Sequence, residues 1–248
     1  MKVIELSKVL FHDPAEFVGR CATFLEAHAN RMRRPAELLA MNPEIFVRRL
    51  SDSVGVSIDT FLQEDGLQAI KAQVSSAQSN WAQGVQSFHD GTFSLAAICY
   101  AVCRARRPLI VLETGVGNGV TTSFILQALA LNCAGELWSI DLPPLGSFKS
   151  GGLVPDNVKS RWNYVRGRTR AKLPEIVKKL QSIDVFVHDS LHTYRNMLFE
   201  FRTVWPAFSA RGVLISDDIS MNCAFEDFFR SKGAFFARRE HFGAAVAN

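Results

Sequence analysis

After Pro108 the chain alternates short apolar runs with segments of helical period, and no other feature constrains the fold as strongly. Leu109 to Glu113, Leu137 to Asp141, Tyr164 with Val165, Ile183 to His188 and Val213 to Ser216 have the length and apolar content of strands. Between them Val120 to Leu131, Ala171 to Leu180 and Tyr194 to Phe208 have helical spacing; Leu173, Ile176, Val177 and Leu180 share one face. Strands that alternate with helices form a parallel sheet, which must be covered on both faces. Phe225 to Ser231 reads as a last helix, and Phe235 to Arg239 with Ala244 to Val246 as a terminal antiparallel pair. The expected fold is α/β, with a doubly wound, mostly parallel sheet of seven strands.

Before Pro108 helical patterns dominate. Asp13 followed by Pro14 is a helix start, with Asp as N-cap and Pro as first helical residue. Phe17, Val18, Cys21, Phe24, Leu25 and His28 follow at three- and four-residue steps and predict one apolar face. Pro35 to Met41, Pro43 to Leu50, Asp65 to Gln78 and Phe93 to Arg106 read as further helices. The chain thus divides into a helical N-terminal extension or lid, 1–107, and an α/β domain, 108–248. Trp162, Trp205 and the phenylalanine-rich stretch Phe225 to Phe236 are expected in the core.

Bulk properties exclude several classes. With 48% hydrophobic and 21% charged residues over 248 positions, the chain can bury a large core. A net charge of +4 is too small to argue for nucleic acid. Arg31, Arg33, Arg34, Arg48, Arg49, Arg104, Arg106 and Arg107 cluster, as solvated helix faces or as a basic rim. Cys21, Cys99, Cys103, Cys133 and Cys223 form no CxxC pair and read as free thiols in a reducing compartment. No apolar run reaches the roughly 18 residues of a membrane span, and charges interrupt the N-terminus, so the expected location is cytoplasmic.

The chemistry begins at Leu112-Glu113-Thr114-Gly115-Val116-Gly117-Asn118-Gly119, where the first strand meets the first helix of the α/β domain. Open parallel sheets bind ligands at such strand ends. Glycines let the backbone turn sharply and a ligand come close. The third glycine comes one residue too early for a dinucleotide site, and Glu113 suits a cationic ligand group better than a pyrophosphate. Asp141, ending the second strand, can accept both hydroxyls of a ribose; its plainer role is to open the Leu142-Pro143-Pro144 turn. Pro143 to Asp156 is a long loop, of the kind that forms lids and binding loops.

These residues resemble class I S-adenosylmethionine-dependent methyltransferases, whose fold is Rossmann-like. Leu112 to Gly119 is similar to their first motif and Ser139-Ile140-Asp141 to their second. His188-Asp189-Ser190-Leu191-His192-Thr193-Tyr194 and Arg211-Gly212-Val213-Leu214-Ile215-Ser216-Asp217-Asp218 resemble signatures of methyltransferase family 24. The likeness spans Pro108 to Ser220. It implies that Glu113, Gly115, Gly117 and Gly119 hold the methionine part of S-adenosylmethionine, that Asp141 takes the ribose, and that Gly167 and its neighbours lie by the adenine. An acidic residue commonly follows that glycine; here Arg168 and Thr169 do, which makes Thr169 the polar candidate.

Methyl transfer needs alignment of a nucleophile and management of its proton. His192, three residues after Asp189, is the candidate base, with Asp189 beside it; His188 reads as structural and Tyr194 as packing. Asp189, Asp217 and Asp218 end adjacent strands and would repel unless a cation intervened. The resemblance matches those places to the metal ligands of O-methyltransferases of sugars and catechols, so Mg2+ is a candidate cofactor. Capping of turns by the same aspartates stays open. The expected activity is O-methylation of a small polar metabolite, a sugar or natural-product hydroxyl. A metal-dependent oxygenase on this fold and a non-catalytic scaffold are the alternatives. No sequence for holding a flipped base is present. The N-terminal helices are expected to cover the acceptor pocket or to form a homodimer contact.

Overall fold

The computed structural model describes residues 9–10, 13–30, 41–81, 93–143 and 149–247. The expected helix Pro35 to Met41, apart from Met41, lies outside them, as do Arg31, Arg33, Arg34 and the stretch 144–148 of the long loop.

Seven strands form one sheet among the described residues, in the order β3-β2-β1-β4-β5-β7-β6. They are β1 (Ile110–Thr114), β2 (Glu136–Asp141), β3 (Trp162–Arg166), β4 (Ile183–His188), β5 (Phe208–Ser216), β6 (Phe235–Arg238) and β7 (Gly243–Val246). The first five are parallel neighbours; β7 runs antiparallel to β5, and β6 antiparallel to β7. The Rossmann-like doubly wound sheet is therefore present, with its carboxyl ends along one edge.

Successive strand residues point to opposite faces, and the two cores divide accordingly. Val111, Val185, Val187, Val213, Ile215, Ala244 and Val246 enter one hydrophobic cluster. Leu112, Phe186, Leu214 and Ala245, one register away, enter the other. The second cluster is closed by α7 (Thr169–Leu180), α8 (Tyr194–Val204) and α9 (Ala224–Lys232). Trp205 packs against it, and Phe225, Phe228 and Phe229 pack around Phe201 with ring centroids 5.6–6.4 Å apart, as the aromatic spacing predicts.

The first cluster is closed by α6 (Val120–Asn132) together with α2 (Pro43–Val54), α4 (Asp65–Trp81) and α5 (Phe93–Arg106), preceded by the short α3 (Asp59–Leu62). The α6 helix is buried almost all round, because it lies between the sheet and these helices. Pro108 marks the change of pattern in the sequence, while the hydrophobic cluster runs through it from Phe46 to Val246.

The first helix, α1 (Pro14–Asn30), starts as expected: Glu16 N–H donates to Asp13 Oδ1 at 2.9 Å. Its orientation differs from the expectation. Val18, Phe24 and Leu25 are 63%, 68% and 66% exposed, and Phe17 and Cys21 only half-buried. The polar side turns inward: Arg20 bonds Glu16 and donates to the Pro143 carbonyl at 2.9 Å, Arg166 pairs with Glu16 at 2.9 Å, and Arg170 pairs with Glu26 at 3.3 Å. The surface beneath α1 is the polar carboxyl edge of β2 and β3 and the heads of α7 and α8, not an apolar core. Charged groups satisfy it; valine and leucine do not. No helix among the described residues is long and apolar enough to cross a membrane.

Candidate active site

The glycine turn follows β1. Gly115 has φ 85°, and a Cβ there would lie 1.9 Å from the Asp189 carbonyl oxygen, so only glycine lets the β1 and β4 ends approach. Gly119, at φ 94°, precedes α6 directly, and a Cβ would meet Gly151 Cα at 2.8 Å. The described end of the long loop folds over this turn: Gly151 N–H donates to the Gly117 carbonyl and Leu153 N–H to the Asn118 carbonyl, both at 2.9 Å.

Glu113 is fully buried beneath the turn. Its Oε2 accepts from Ser139 Oγ at 2.7 Å and Thr122 Oγ1 at 2.9 Å, and Trp162 Nε1 donates to Ser139. Its Oε1 is buried with no partner among the described residues. Burial pushes the carboxyl up to about 7, the two hydroxyls oppose this, and the charge of Asp141 adds to it. An empty, buried, negatively polarised oxygen is a place for a cationic donor.

Asp141, half-buried at the end of β2, accepts from the Ser150 hydroxyl. Its carbonyl accepts from Gly167 N–H at 2.9 Å, which sets the β3–α7 turn beside it. Thr169, expected before the helix, is the first residue of α7 and half-buried. Arg168 lies under α1, where a Cβ on Gly19 would come within 2.3 Å of its side chain.

The acceptor side begins at the end of β4. Asp189 N–H donates to the Thr114 carbonyl and Asp217 N–H to the His188 carbonyl, both at 2.8 Å, so the sheet brings both aspartates to the edge that carries the glycine turn. Burial, then the charges of Asp217, Glu113 and Asp218, push the Asp189 carboxyl well above the usual range, although 22% of its side chain is exposed. Asp217 and Asp218 are raised as well, chiefly by burial. Asp217 Oδ1 is buried without a partner among the described residues. His192 precedes α8, where Thr193 is the N-cap. Its Nε2 lies 3.7 Å from Asp189 Oδ1 and 3.7 Å from Asp218 Oδ2. Burial and neighbouring His188 push its imidazole down to about 3.

A family profile described as a methyltransferase domain matches residues 112–219. That match runs from within β1 to just past β5 and takes in 108 of the 248 residues. The chain's fold is similar to that of the O-methyltransferase from Bacillus cereus in complex with SAH, at 14% identity and TM-score 0.55, over 83% of this chain and 99% of that one. The SAH-bound methyltransferase of Podospora anserina aligns at 11% identity and TM-score 0.55, over 86% and 100%. The O-methyltransferase TomG of Streptomyces achromogenes, involved in tomaymycin synthesis and in complex with SAM, aligns at 14% and 0.53, over 84% and 99%. No curated protein matches the chain in sequence.

Among the described residues, no three His, Cys, Asp or Glu side chains are gathered so as to hold a metal ion. The donor chemistry nevertheless suits a hard cation: Asp189, Asp217 and Asp218 are all carboxylates, all raised, and one oxygen lacks a partner.

One group at this edge of the sheet carries no motif in the sequence. Glu200, fully buried on α8, contacts Thr114, His188, Ser190 and Asn196. The signal was present: an acid standing on the helix face otherwise made by Met197, Phe201 and Val204. A charge at an apolar position of an amphipathic helix is retained only where partners wait for it. His188, read as structural, is its partner.

Proposed function

We propose that the protein is a class I S-adenosylmethionine-dependent methyltransferase that moves the methyl group of S-adenosylmethionine to an oxygen of a small polar acceptor. The observation that carries this is the meeting, on one sheet edge, of buried Glu113 with its free Oε1 and the cluster of His192, Asp189 and Asp218. The names of the similar folds from Bacillus cereus and Streptomyces achromogenes, both O-methyltransferases, support an oxygen acceptor.

Glu113 Oε1 would receive the cofactor's ammonium group while the glycine turn lets its backbone come close. The ribose hydroxyls would take the place of the Ser150 hydroxyl on Asp141, with Thr169 towards the adenine. The α1 helix, latched to Pro143, Arg166, Arg170 and Thr193, would act as the lid part of the N-terminal extension. With its pKa near 3, His192 is neutral at physiological pH and keeps a lone pair for the acceptor's proton. Asp189 and Asp218, each 3.7 Å from Nε2 and raised in pKa, are the carboxyls placed to take that proton on.

Asp189, Asp217 and Asp218 would hold a divalent ion such as Mg2+. Bound there, it would relieve their repulsion and favour the acceptor's alkoxide.

Isothermal titration with S-adenosylmethionine tests the central claim, and an acceptor screen over a hydroxyl library with Mg2+ or EDTA tests the rest. The reading predicts micromolar binding and methylated products. Absence of binding under every condition would sink it. Turnover that survives EDTA would leave His192 as base without a metal.

A further inference from the structure

Glu200 has its carboxylate wholly inside the protein and fully used. Oε2 accepts from Thr114 Oγ1 at 2.6 Å and lies 2.6 Å from His188 Nδ1. Oε1 accepts from Ser190 Oγ at 2.7 Å and from Asn196 Nδ2 at 2.9 Å. A buried carboxylate is costly unless its lone pairs are met, and leucine would serve the core better at that position. Here the partners are the last residue of β1, the last residue of β4, the loop after β4 and the first turn of α8. Thr114 leads into the glycine turn, and Ser190 follows Asp189. One side chain therefore ties the cofactor side of the site to the acceptor side.

The tie reaches further through His188. A proton must lie between Nδ1 and Oε2, since a bare ring nitrogen and a carboxylate oxygen would repel at 2.6 Å. Both Glu200 oxygens already accept, Oε2 from Thr114 and Oε1 from Ser190 and Asn196, so the carboxylate is the acceptor here too and the proton sits on Nδ1. The opposite nitrogen, Nε2, is buried with no partner among the described residues. Among the described residues, Glu200 alone grips the ring by a hydrogen bond. Its faces are set by packing against His192, edge-on at 5.3 Å and 87°, and against Phe201, at 5.6 Å and 76°.

We propose that Glu200 is a positioning residue for methyl transfer. It fixes the tautomer and angle of His188, His188 sets the ring of His192, and Thr114 keeps the glycine turn at a constant distance from both. This deepens the methyl-transfer reading and rests on it. Glu200 is wholly buried; it decides whether two halves of the site, one following β1 and the other following β4, face each other correctly.

The test uses the full chain labelled with 15N in its six imidazoles and long-range proton–nitrogen spectra, with assignment from His188→Asn and His192→Ala. In the native protein His188 carries its proton on Nδ1, far downfield. In Glu200→Gln that signal is lost and the His192 resonances move. Affinity for S-adenosylmethionine by calorimetry stays within about threefold, while kcat on an acceptor from the hydroxyl library falls at least tenfold and KM changes less. If Glu200→Gln does not fold, Thr114→Val removes the other donor to the same oxygen. The His188 proton should then shift further downfield as it gains a larger share of Oε2. A native His188 protonated on Nε2, His192 resonances unmoved in Glu200→Gln, or an unshifted proton in Thr114→Val would overturn the proposal even with cofactor binding intact. Failure of the native chain to bind S-adenosylmethionine would overturn the methyl-transfer reading, and this role with it, while leaving the His188 tautomer as observed.

Discussion

Glu113 is buried with no counter-charge among the described residues, and its pH behaviour follows from that. Its carboxyl rises from 4.5 to about 7 on folding, so the folded chain keeps a proton that the unfolded chain has released over that interval. The stability this group contributes is fully present below pH 4.5 and is lost as pH rises through about 7, a swing of roughly 3 kcal/mol. Glu113→Gln, which keeps an oxygen for Ser139 and Thr122, should flatten the pH dependence of unfolding in that window, as read from denaturant midpoints at pH 5 and pH 8. The same variant presents an amide to the cofactor's ammonium group and should weaken S-adenosylmethionine binding by roughly 10- to 100-fold in calorimetry, the effect of losing a charged hydrogen bond. Equal stability slopes in the two proteins would refute the first expectation. His192→Asn should leave that affinity in place and lower kcat by about 10²- to 10⁴-fold, the range for a general base. A variant as active as the native enzyme would remove His192 from the chemistry.

At the scale of elements, α1 is the informative one. Its sequence has a good apolar stripe, yet the helix shows Val18, Phe24 and Leu25 to solvent and turns Glu16, Arg20 and Glu26 inward. A helical period states that residues share a face; it does not state what that face meets. Glu26 is the far latch, taking the Thr193 hydroxyl and Arg170. Glu26→Ala should speed amide hydrogen exchange over residues 14–26 and hasten release of bound S-adenosylhomocysteine, with the melting temperature changed by no more than a few degrees. Unchanged exchange would mean that the latch does not hold the helix. The elements after Pro108, by contrast, mostly follow their pattern, because the sheet they pack against buries the apolar positions their periodicity sets out. The exceptions are ends: α7 begins two residues early, at Thr169, and the helix expected from Tyr194 to Phe208 stops at Val204, where Pro206 ends it in a short 3-10 turn and β5 starts at Phe208.

For the whole molecule, ligand and fold should be linked. A cofactor that binds only the folded chain stabilises it in proportion to its concentration, by about 2.7 kcal/mol at a hundredfold excess over Kd. The melting temperature should therefore climb with the logarithm of S-adenosylmethionine concentration, and climb less in Glu113→Gln. If the aspartate cluster takes Mg2+, the ion alone should raise the native melting temperature, and Asp217→Asn should abolish that rise by lowering the charge at the site. A rise that persists in Asp217→Asn would place the ion elsewhere.

Features that depend on neighbours along the chain were legible in the residues alone. The alternation of strand and helix, the Asp13 cap, the glycine turn and the placing of Asp141, Asp189, Asp217 and Asp218 at strand ends all rest on backbone geometry and short spacings. Tertiary structure decided the relations among them. It set His192 between two carboxylates, gave Glu113 one satisfied oxygen and one free, turned α1 inside out, and brought Glu200 to Thr114 across 86 positions of chain. Such contacts depend on how the sheet and its crossovers bring distant segments to a common edge, and local residue patterns carry no record of those distances.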